Sequence, residues 1–493
     1  MKRDDFGLYS GYGLFINGQW RSAASAEVRE VINPTNEEVI GWIPVATRAD
    51  LDAAVDAAEA AFRVWRHTSP WERAALLHRT ATLVRERNEA IARMMSAETG
   101  KPLAQARGEL NDAADQFDWY AGETQRIYGQ TFQARVPEVR MQVRLEPVGV
   151  VAAFSAWNFP ALLPSRKIAA ALGAGCSVVV KPASEAAGSC MAVVQALHDA
   201  GLPAGTVNLV TGDSSFISEV LAHSPKVAKI TLTGSTTVGR KMLHLAAEGI
   251  KRVSMELGGH APVLVFEDAD VDLAAEQCAR FKYRNCGQVC ASPSRFFVHE
   301  SVYAGFVERF AAVARTLKVG PGLAADTDVG PLANRRGLVH AQSLIADALD
   351  RGARLVAGGR RPEGLGAKGY YLAPTALADV PQAARIMHDE PFAPVAPIAP
   401  FGSFDEAITL ANATPYGLAS YLFTRSLKTA TLASEAIEAG DLCAIRISAT
   451  GVFRKWYAVT LADMAPTPFM EAFVDISPRR IGGVSEKSTR NST

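Results

Sequence analysis

The sequence predicts an α/β chain: a doubly wound parallel sheet, a second α/β domain after it, and a small β arm. Three observations predict this. From residue 149 onward, short apolar β-rich runs alternate with helix-length stretches, and strands separated in this way are wound by right-handed crossovers into a parallel sheet. The alternation starts again after Gly258. Before the first strand, residues 132–146 alternate polar and apolar in strand fashion, which suits an exposed β arm. The length of 493 residues allows two or three domains at about 100–200 residues each.

The elements follow in order. Residues 13–20 read as a hairpin with Asn17-Gly18 at its turn, since that dipeptide tolerates the left-handed conformations a two-residue turn requires. Residues 50–100 are Ala-rich with helical spacing and a break at Pro70. Strands are expected at 149–156, 177–182, 206–211 and 229–233, with helices at 162–172 and 185–197 between the first three. The second domain opens with a strand at 262–266, then a helix from about Asp270, then a cysteine-bearing turn.

Bulk composition narrows the function classes. Basic and acidic residues number 51 each, so charge points to neither nucleic acid nor an anionic membrane as partner. No apolar run approaches the roughly 18–20 residues that span a bilayer, and the mixed charges of Met1-Lys2-Arg3-Asp4-Asp5 do not begin a secretory signal. Six scattered cysteines form no disulfide framework and no zinc-ligand spacing. A reduced cytoplasmic protein without a metal site is expected.

Cys290 lies in Arg284-Asn285-Cys286-Gly287-Gln288-Val289-Cys290. Met255-Glu256-Leu257-Gly258-Gly259 precedes it, so a thiol and a carboxylate are expected to share a site. A thiol becomes a nucleophile through a nearby base or a lowered pKa, and a carboxylate can take that proton or later activate a water. The run Thr233-Gly234-Ser235-Thr236 passes from a strand through glycine into a helix; amides at such a start favour a pyrophosphate, although any tight strand–helix turn reads similarly. Lys181 ends a strand, where it meets either a ribose or phosphate or simply water. Cys286, four positions before Cys290, is either a passive buried thiol or a partner in a regulatory disulfide.

Several segments in order resemble the NAD(P)-dependent aldehyde dehydrogenase superfamily, over residues 13–440. They are Trp157-Asn158-Phe159-Pro160, Lys181-Pro182, Thr233-Gly234-Ser235, Glu256-Leu257-Gly258-Gly259, Gly287-Gln288-Val289-Cys290, Glu390-Pro391-Phe392 and Asn412-Ala413-Thr414-Pro415-Tyr416-Gly417-Leu418. The resemblance implies that Cys290 attacks an aldehyde, that Asn158 and the Cys290 N–H hold the oxyanion, and that Glu256 activates the hydrolytic water. It implies cofactor contacts from Trp157, Lys181, Ser184, Gly234, Ser235, Glu390 and Phe392. It also implies an NAD(P)-binding domain of residues 1–131 and 153–258 and a catalytic domain of 259–445. An oligomerisation arm of 132–152 with the tail 446–493 would build a homodimer or homotetramer.

Two arginines direct the substrate reading. Arg166 lies eight positions after Asn158 and Arg284 six before Cys290; succinate-semialdehyde dehydrogenases are similar at both. Guanidinium forks bind carboxylates at two points, so the substrate is read as a carboxylated semialdehyde, succinate semialdehyde first. The alternatives are another aldehyde, with both arginines paired to internal acids, or a nucleotide-binding protein without turnover. Ser184 stands where NAD-selective relatives carry a glutamate that repels a 2′-phosphate, so NADP is favoured over NAD, with Glu185 opposing the preference. After Cys443 the tail departs from the family pattern and ends in the polar run 485–493.

Overall fold

The computed structural model describes residues 7–437 and the backbone of residues 444–447; the divergent tail beyond 447 and Cys443 lie outside the described residues. The N-terminal hairpin forms from Leu14–Ile16 and Gln19–Arg21. Asn17 and Gly18 both take positive φ, 51° and 79°, as the tight turn demands. The Ala-rich region becomes three helices, Arg48–Trp65, Pro70–Glu86 and Asn88–Thr99. Pro70 opens the second of them behind a Ser69/Glu72 capping box, because the first helical position needs no N–H. A further helix, Leu103–Thr124, buries Leu103, Ala106, Leu110, Ala113, Ala114 and Phe117 along one face. Its helical period was present in the sequence but was not read.

The first sheet runs, edge to edge, Arg252–Glu256, Val227–Thr233, Val150–Phe154, Ser177–Lys181, Val207–Leu209, Leu14–Ile16, Gln19–Arg21. The first five are parallel. The two hairpin strands join antiparallel, so the sheet is mixed where a purely parallel one was expected. The strand earliest in the parallel set lies in its middle, and the chain winds outward to one side, then to the other. Val150–Phe154 and Ser177–Lys181 are buried along their whole length, the pattern of strands covered on both faces by helices. The second sheet runs Arg354–Ala357, Thr375–Ala378, Val395–Phe401, Pro293–His299, Ala261–Val265, Tyr421–Thr424, Ala444–Ile447, parallel except at its first pair.

The arm is a two-stranded ribbon of Gln130–Gln133 and Arg140–Val143, exposed at every position. Among the described residues, no helix is long and apolar enough to cross a membrane.

Candidate active site

Reversal of strand order in the first sheet opens a crevice at the carboxyl ends of its strands, the place where such sheets bind ligands. Val150–Phe154 runs out into Trp157 and Asn158; Val227–Thr233 into Gly234 and Ser235. Ser177–Lys181 ends on Lys181, just before Ser184, and Arg252–Glu256 ends on Glu256. Residues scattered over a hundred positions of sequence are therefore brought to one edge by topology.

The thiol arrives from the other side. After the helix Val271–Tyr283 the chain makes a turn at Arg284–Gly287, with Asn285 and Cys286 at φ of 49° and 55°. Non-glycine residues in this left-handed region are strained, and side-chain bonds hold them there. Asn285 Nδ2 donates to the Asn158 carbonyl at 3.0 Å and to the Gln288 carbonyl at 3.2 Å. Gln288 Nε2 donates to the Asn285 carbonyl at 3.1 Å, and its Oε1 accepts from Ala333 N at 2.9 Å. Gly287, at φ 71°, lies so near the Ala393 carbonyl that any side chain would collide with it. A Cβ at Gly259 would approach the Cys290 carbonyl to 2.7 Å, so only glycine lets the segment after Glu256 reach the cysteine.

Asn158 is buried, 4% exposed. Its Nδ2 donates to the Gln288 carbonyl at 3.1 Å, which orients the amide and leaves its second N–H unspent. Two residues absent from the sequence reading hold the Asn158 loop. Lys101 Nζ donates to the Asn158 carbonyl at 2.8 Å and pairs with Glu109. Glu109 Oε1 in turn accepts from the amides of Ala161 at 2.9 Å and Leu162 at 3.1 Å. Both ionic side chains are almost fully buried. The only signal for them in sequence was the helical period that places Glu109 on the inner face of its helix.

Burial pushes the Cys290 thiol up to about 11, and the nearby carboxylates of Glu256 and Glu390 add to the rise. Burial likewise raises Glu256, against the opposing charges of Lys167 and Arg166. The resting thiol is therefore protonated at neutral pH and needs a base. Alkylation of Cys290 by iodoacetamide is expected to be slow there and to climb about tenfold per pH unit as thiolate forms. Glu256→Gln removes one of the two negative charges and is expected to speed labelling at fixed pH. Peptide mass spectrometry against pH reads both; a flat profile would contradict a protonated resting thiol. Cys286 is buried and far raised by that burial, in keeping with a passive thiol.

The cofactor-side residues also cluster. Lys181 is buried, its Nζ donates to Ser214 Oγ at 2.7 Å, and burial lowers it to about 8. Ser235 caps the helix Thr236–Glu248, and the Gly234 amide donates to the Glu256 carbonyl at 3.0 Å, tying that helix start to the backbone of Glu256. Glu390 accepts from the Gly259 amide at 3.3 Å and is raised to about 7 by burial. Trp157 and Phe392 meet edge to face at 5.6 Å. A cation at a strand end, a helix N-terminus, a buried carboxylate and an aromatic wall form a donor set that fits a dinucleotide's ribose, phosphates and ring.

Arg166 and Glu256 line one cavity of about 440 Å³ with Tyr120 and Leu163. Arg284 lies 5.8 Å from the centre of the Phe159 ring, beside Asn158. Both arginines are exposed, and neither has an ion-pair partner among the described residues.

The model of the aldehyde dehydrogenase family matches residues 20–450. The 4-(hydroxymethyl)benzenesulfonate dehydrogenase TsaD1 of Comamonas testosteroni is 45% identical over 435 residues, 88% of this chain and 90% of that one. The NADP(+) succinate-semialdehyde dehydrogenase GabD of Escherichia coli K12 is 40% identical over 440 residues, 89% and 90% of the two chains. The crystal structure of succinate-semialdehyde dehydrogenase from Burkholderia pseudomallei superposes with a TM-score of 0.86 at 40% identity, covering 89% of this chain and 90% of that one. With this likeness along nearly its whole described length, the chain belongs to the aldehyde dehydrogenase family, whose enzymes take NAD or NADP.

Proposed function

We propose that the protein oxidises an aldehyde carrying a remote anion, succinate semialdehyde first, to the corresponding acid. The observation that carries this is the pair of exposed guanidiniums, Arg166 and Arg284, near Glu256 and Asn158, neither with an acid at ion-pair distance among the described residues. An arginine that served structure would be expected to pair with an internal acid.

In this reading Cys290 loses its proton to Glu256 directly or through water, and the thiolate adds to the aldehyde carbon. The Asn158 amide and the Cys290 N–H donate to the oxyanion that forms, in a site where few waters compete. NAD(P) held beside Cys290 would supply the acceptor for the hydride leaving that carbon, and the carbon would then remain on Cys290 as a thioester. Glu256, raised by burial, passes that first proton to solvent, then takes a proton from the water that attacks the thioester and returns it to the departing Cys290 sulfur, freeing the acid and the thiol. Trp157 and Phe392 wall the nicotinamide pocket, Glu390 holds its ribose, Gly234 and Ser235 the pyrophosphate, and Lys181 and Ser184 the adenosine ribose. NADP is preferred, because Ser184 places no charge against a 2′-phosphate.

A second reading, a sulfonated aldehyde, is favoured by the likeness to the 3-sulfolactaldehyde dehydrogenase of Pseudomonas putida, 43% identical over 426 residues; the Comamonas testosteroni enzyme also takes a sulfonate, as the alcohol 4-(hydroxymethyl)benzenesulfonate. The same arginines serve either anion. Arg166→Ala or Arg284→Ala is expected to lower kcat/KM for succinate semialdehyde by about 10- to 150-fold, the worth of a hydrogen bond to a charged group. Turnover of propanal should hardly change. Equal losses on charged and uncharged aldehydes would sink the anion reading, and relative kcat/KM for succinate semialdehyde and 3-sulfolactaldehyde separates the two anions.

Residues 132–152 form the assembly arm of the proposed domain scheme, with 1–131 and 153–258 binding cofactor and 259–445 completing the catalytic half. Phe132, Met141 and Val143 on the ribbon are 43%, 49% and 46% exposed, apolar area that a homodimer or homotetramer would cover. The cytoplasm, which keeps thiols reduced, is the compartment this chemistry suits.

A further inference from the structure

Arg29 lies in the strand Val28–Ile32 of the N-terminal region, 155 positions from Ser184, yet its Nη1 donates to Ser184 Oγ at 3.3 Å. Ser184 opens the short turn Ser184–Ala186 that follows the strand ending on Lys181. The Arg29 charge reaches Lys181 as well, opposing its protonation, while Glu185 and Asp213 favour it. Arg29 itself is exposed, and among the described residues no carboxylate lies within ion-pair distance of its guanidinium. Its neighbour Glu30 points to the opposite face of the strand, since successive side chains alternate. Two cations and a hydroxyl therefore lie near one another, with no carboxylate at ion-pair distance from Arg29 among the described residues, an arrangement that suits a dianion.

We propose that Arg29 is a specificity-determining residue that binds the 2′-phosphate of the adenosine ribose of NADP. The inference rests on the reading above, in which Lys181 and Ser184 face that ribose. A guanidinium carries five N–H donors, so Nη1 can stay on Ser184 while the remaining donors take two phosphate oxygens in the fork geometry that ammonium groups lack. NAD offers only a neutral 2′-hydroxyl at this point and gains little from the guanidinium. The strand Val28–Ile32 would in this way add a selectivity element to a pocket whose other residues come from the strand–helix turns of the first sheet.

The test is calorimetric, on the full chain without aldehyde, so that binding is read apart from turnover. Dissociation constants are measured for NADP, NAD, adenosine 2′-monophosphate and adenosine 5′-monophosphate with the unaltered protein, Arg29→Ala and Arg29→Lys. Arg29→Ala is expected to weaken NADP and the 2′-monophosphate by about 10- to 100-fold, as for loss of charge-assisted hydrogen bonds. NAD and the 5′-monophosphate should change less than about twofold, since they lack the group that Arg29 contacts. Arg29→Lys should recover part of the NADP loss, with a steeper salt dependence than arginine shows. Unchanged NADP affinity in Arg29→Ala, or equal weakening of NADP and NAD, would overturn the role of Arg29 and leave the cofactor pocket standing. Failure of the unaltered protein to bind either dinucleotide would overturn the pocket and this inference together.

Discussion

Replacing Cys290 by alanine is expected to abolish formation of reduced nicotinamide, with kcat falling by about 10⁴- to 10⁶-fold, the scale on which loss of a covalent nucleophile is felt. The expectation follows from position. Cys290 is the cysteine of the turn that reaches Glu256 electrostatically, and the other described cysteines, Cys176, Cys190, Cys278 and Cys286, are buried. Among the described residues no other thiol is exposed enough to take over. Cofactor affinity should be unaltered, since the proposed contacts Lys181, at the end of Ser177–Lys181, and Ser235, at the cap of the helix Thr236–Glu248, belong to segments other than the cysteine turn. Absorbance at the reduced-nicotinamide band, with tryptophan-fluorescence titration for binding, checks both halves. Turnover within about tenfold of the unaltered protein would remove the thiol from the mechanism. Asn158→Ala should show a smaller loss, about 10²- to 10³-fold, as one of the two proposed oxyanion donors. Dinucleotide binding without turnover in the unaltered protein would instead favour a binding protein over an enzyme.

The second large effect is expected at Lys101, where stability and chemistry are linked. Lys101→Met leaves Glu109 buried without its counter-charge, and breaking such a pair from one side costs about 3–5 kcal/mol. The change also frees the Asn158 carbonyl that Lys101 Nζ held at 2.8 Å. A shift of about 1 Å in a catalytic group can cost on the order of 10²-fold in rate, so kcat should fall even well below the unfolding temperature. The double variant Lys101→Met/Glu109→Gln separates the two effects. Its glutamine oxygen still accepts from the Ala161 and Leu162 amides, as Glu109 does at 2.9 and 3.1 Å, and no charge is stranded. Stability is expected to recover in part while kcat stays low. Urea unfolding and steady-state rates read the two quantities; a kcat equal to that of the unaltered protein in Lys101→Met would show that the anchor does not position the loop.

Four of the five parallel strands of the first sheet were legible because each is a short apolar run closed by glycine, proline or a polar residue, such as Ser177–Lys181 before Pro182; the edge strand Arg252–Glu256, polar and mostly exposed, carries no such pattern. The helix Leu103–Thr124 was not read, although its apolar residues keep helical spacing, and the break at Arg87 between two helices left no proline to mark it. The antiparallel joining of Leu14–Ile16 to Val207–Leu209 was also invisible, since pairing across so long a separation leaves no local pattern. The residues proposed for the site, Cys290, Glu256, Asn158, Lys181, Ser184, Gly234, Ser235, Glu390, Trp157 and Phe392, lie in or beside compact local motifs, and such motifs can be read in a linear text.

What the sequence determined by itself is therefore whatever depends on nearest neighbours: strand and helix periods, the Asn17-Gly18 turn, the glycine beside the cysteine turn, and the chemical types available for catalysis. Only the tertiary structure decided which of those types stand together. Lys101 meets the Asn158 carbonyl across 57 positions and Arg29 meets Ser184 across 155; whether Arg166 and Arg284 were paired with an acid also depended on distant segments. The physical reason is that charge and hydrogen-bond energies act over a few ångströms of space, and the chain path that creates those distances is set by burial of apolar faces spread along the whole sequence.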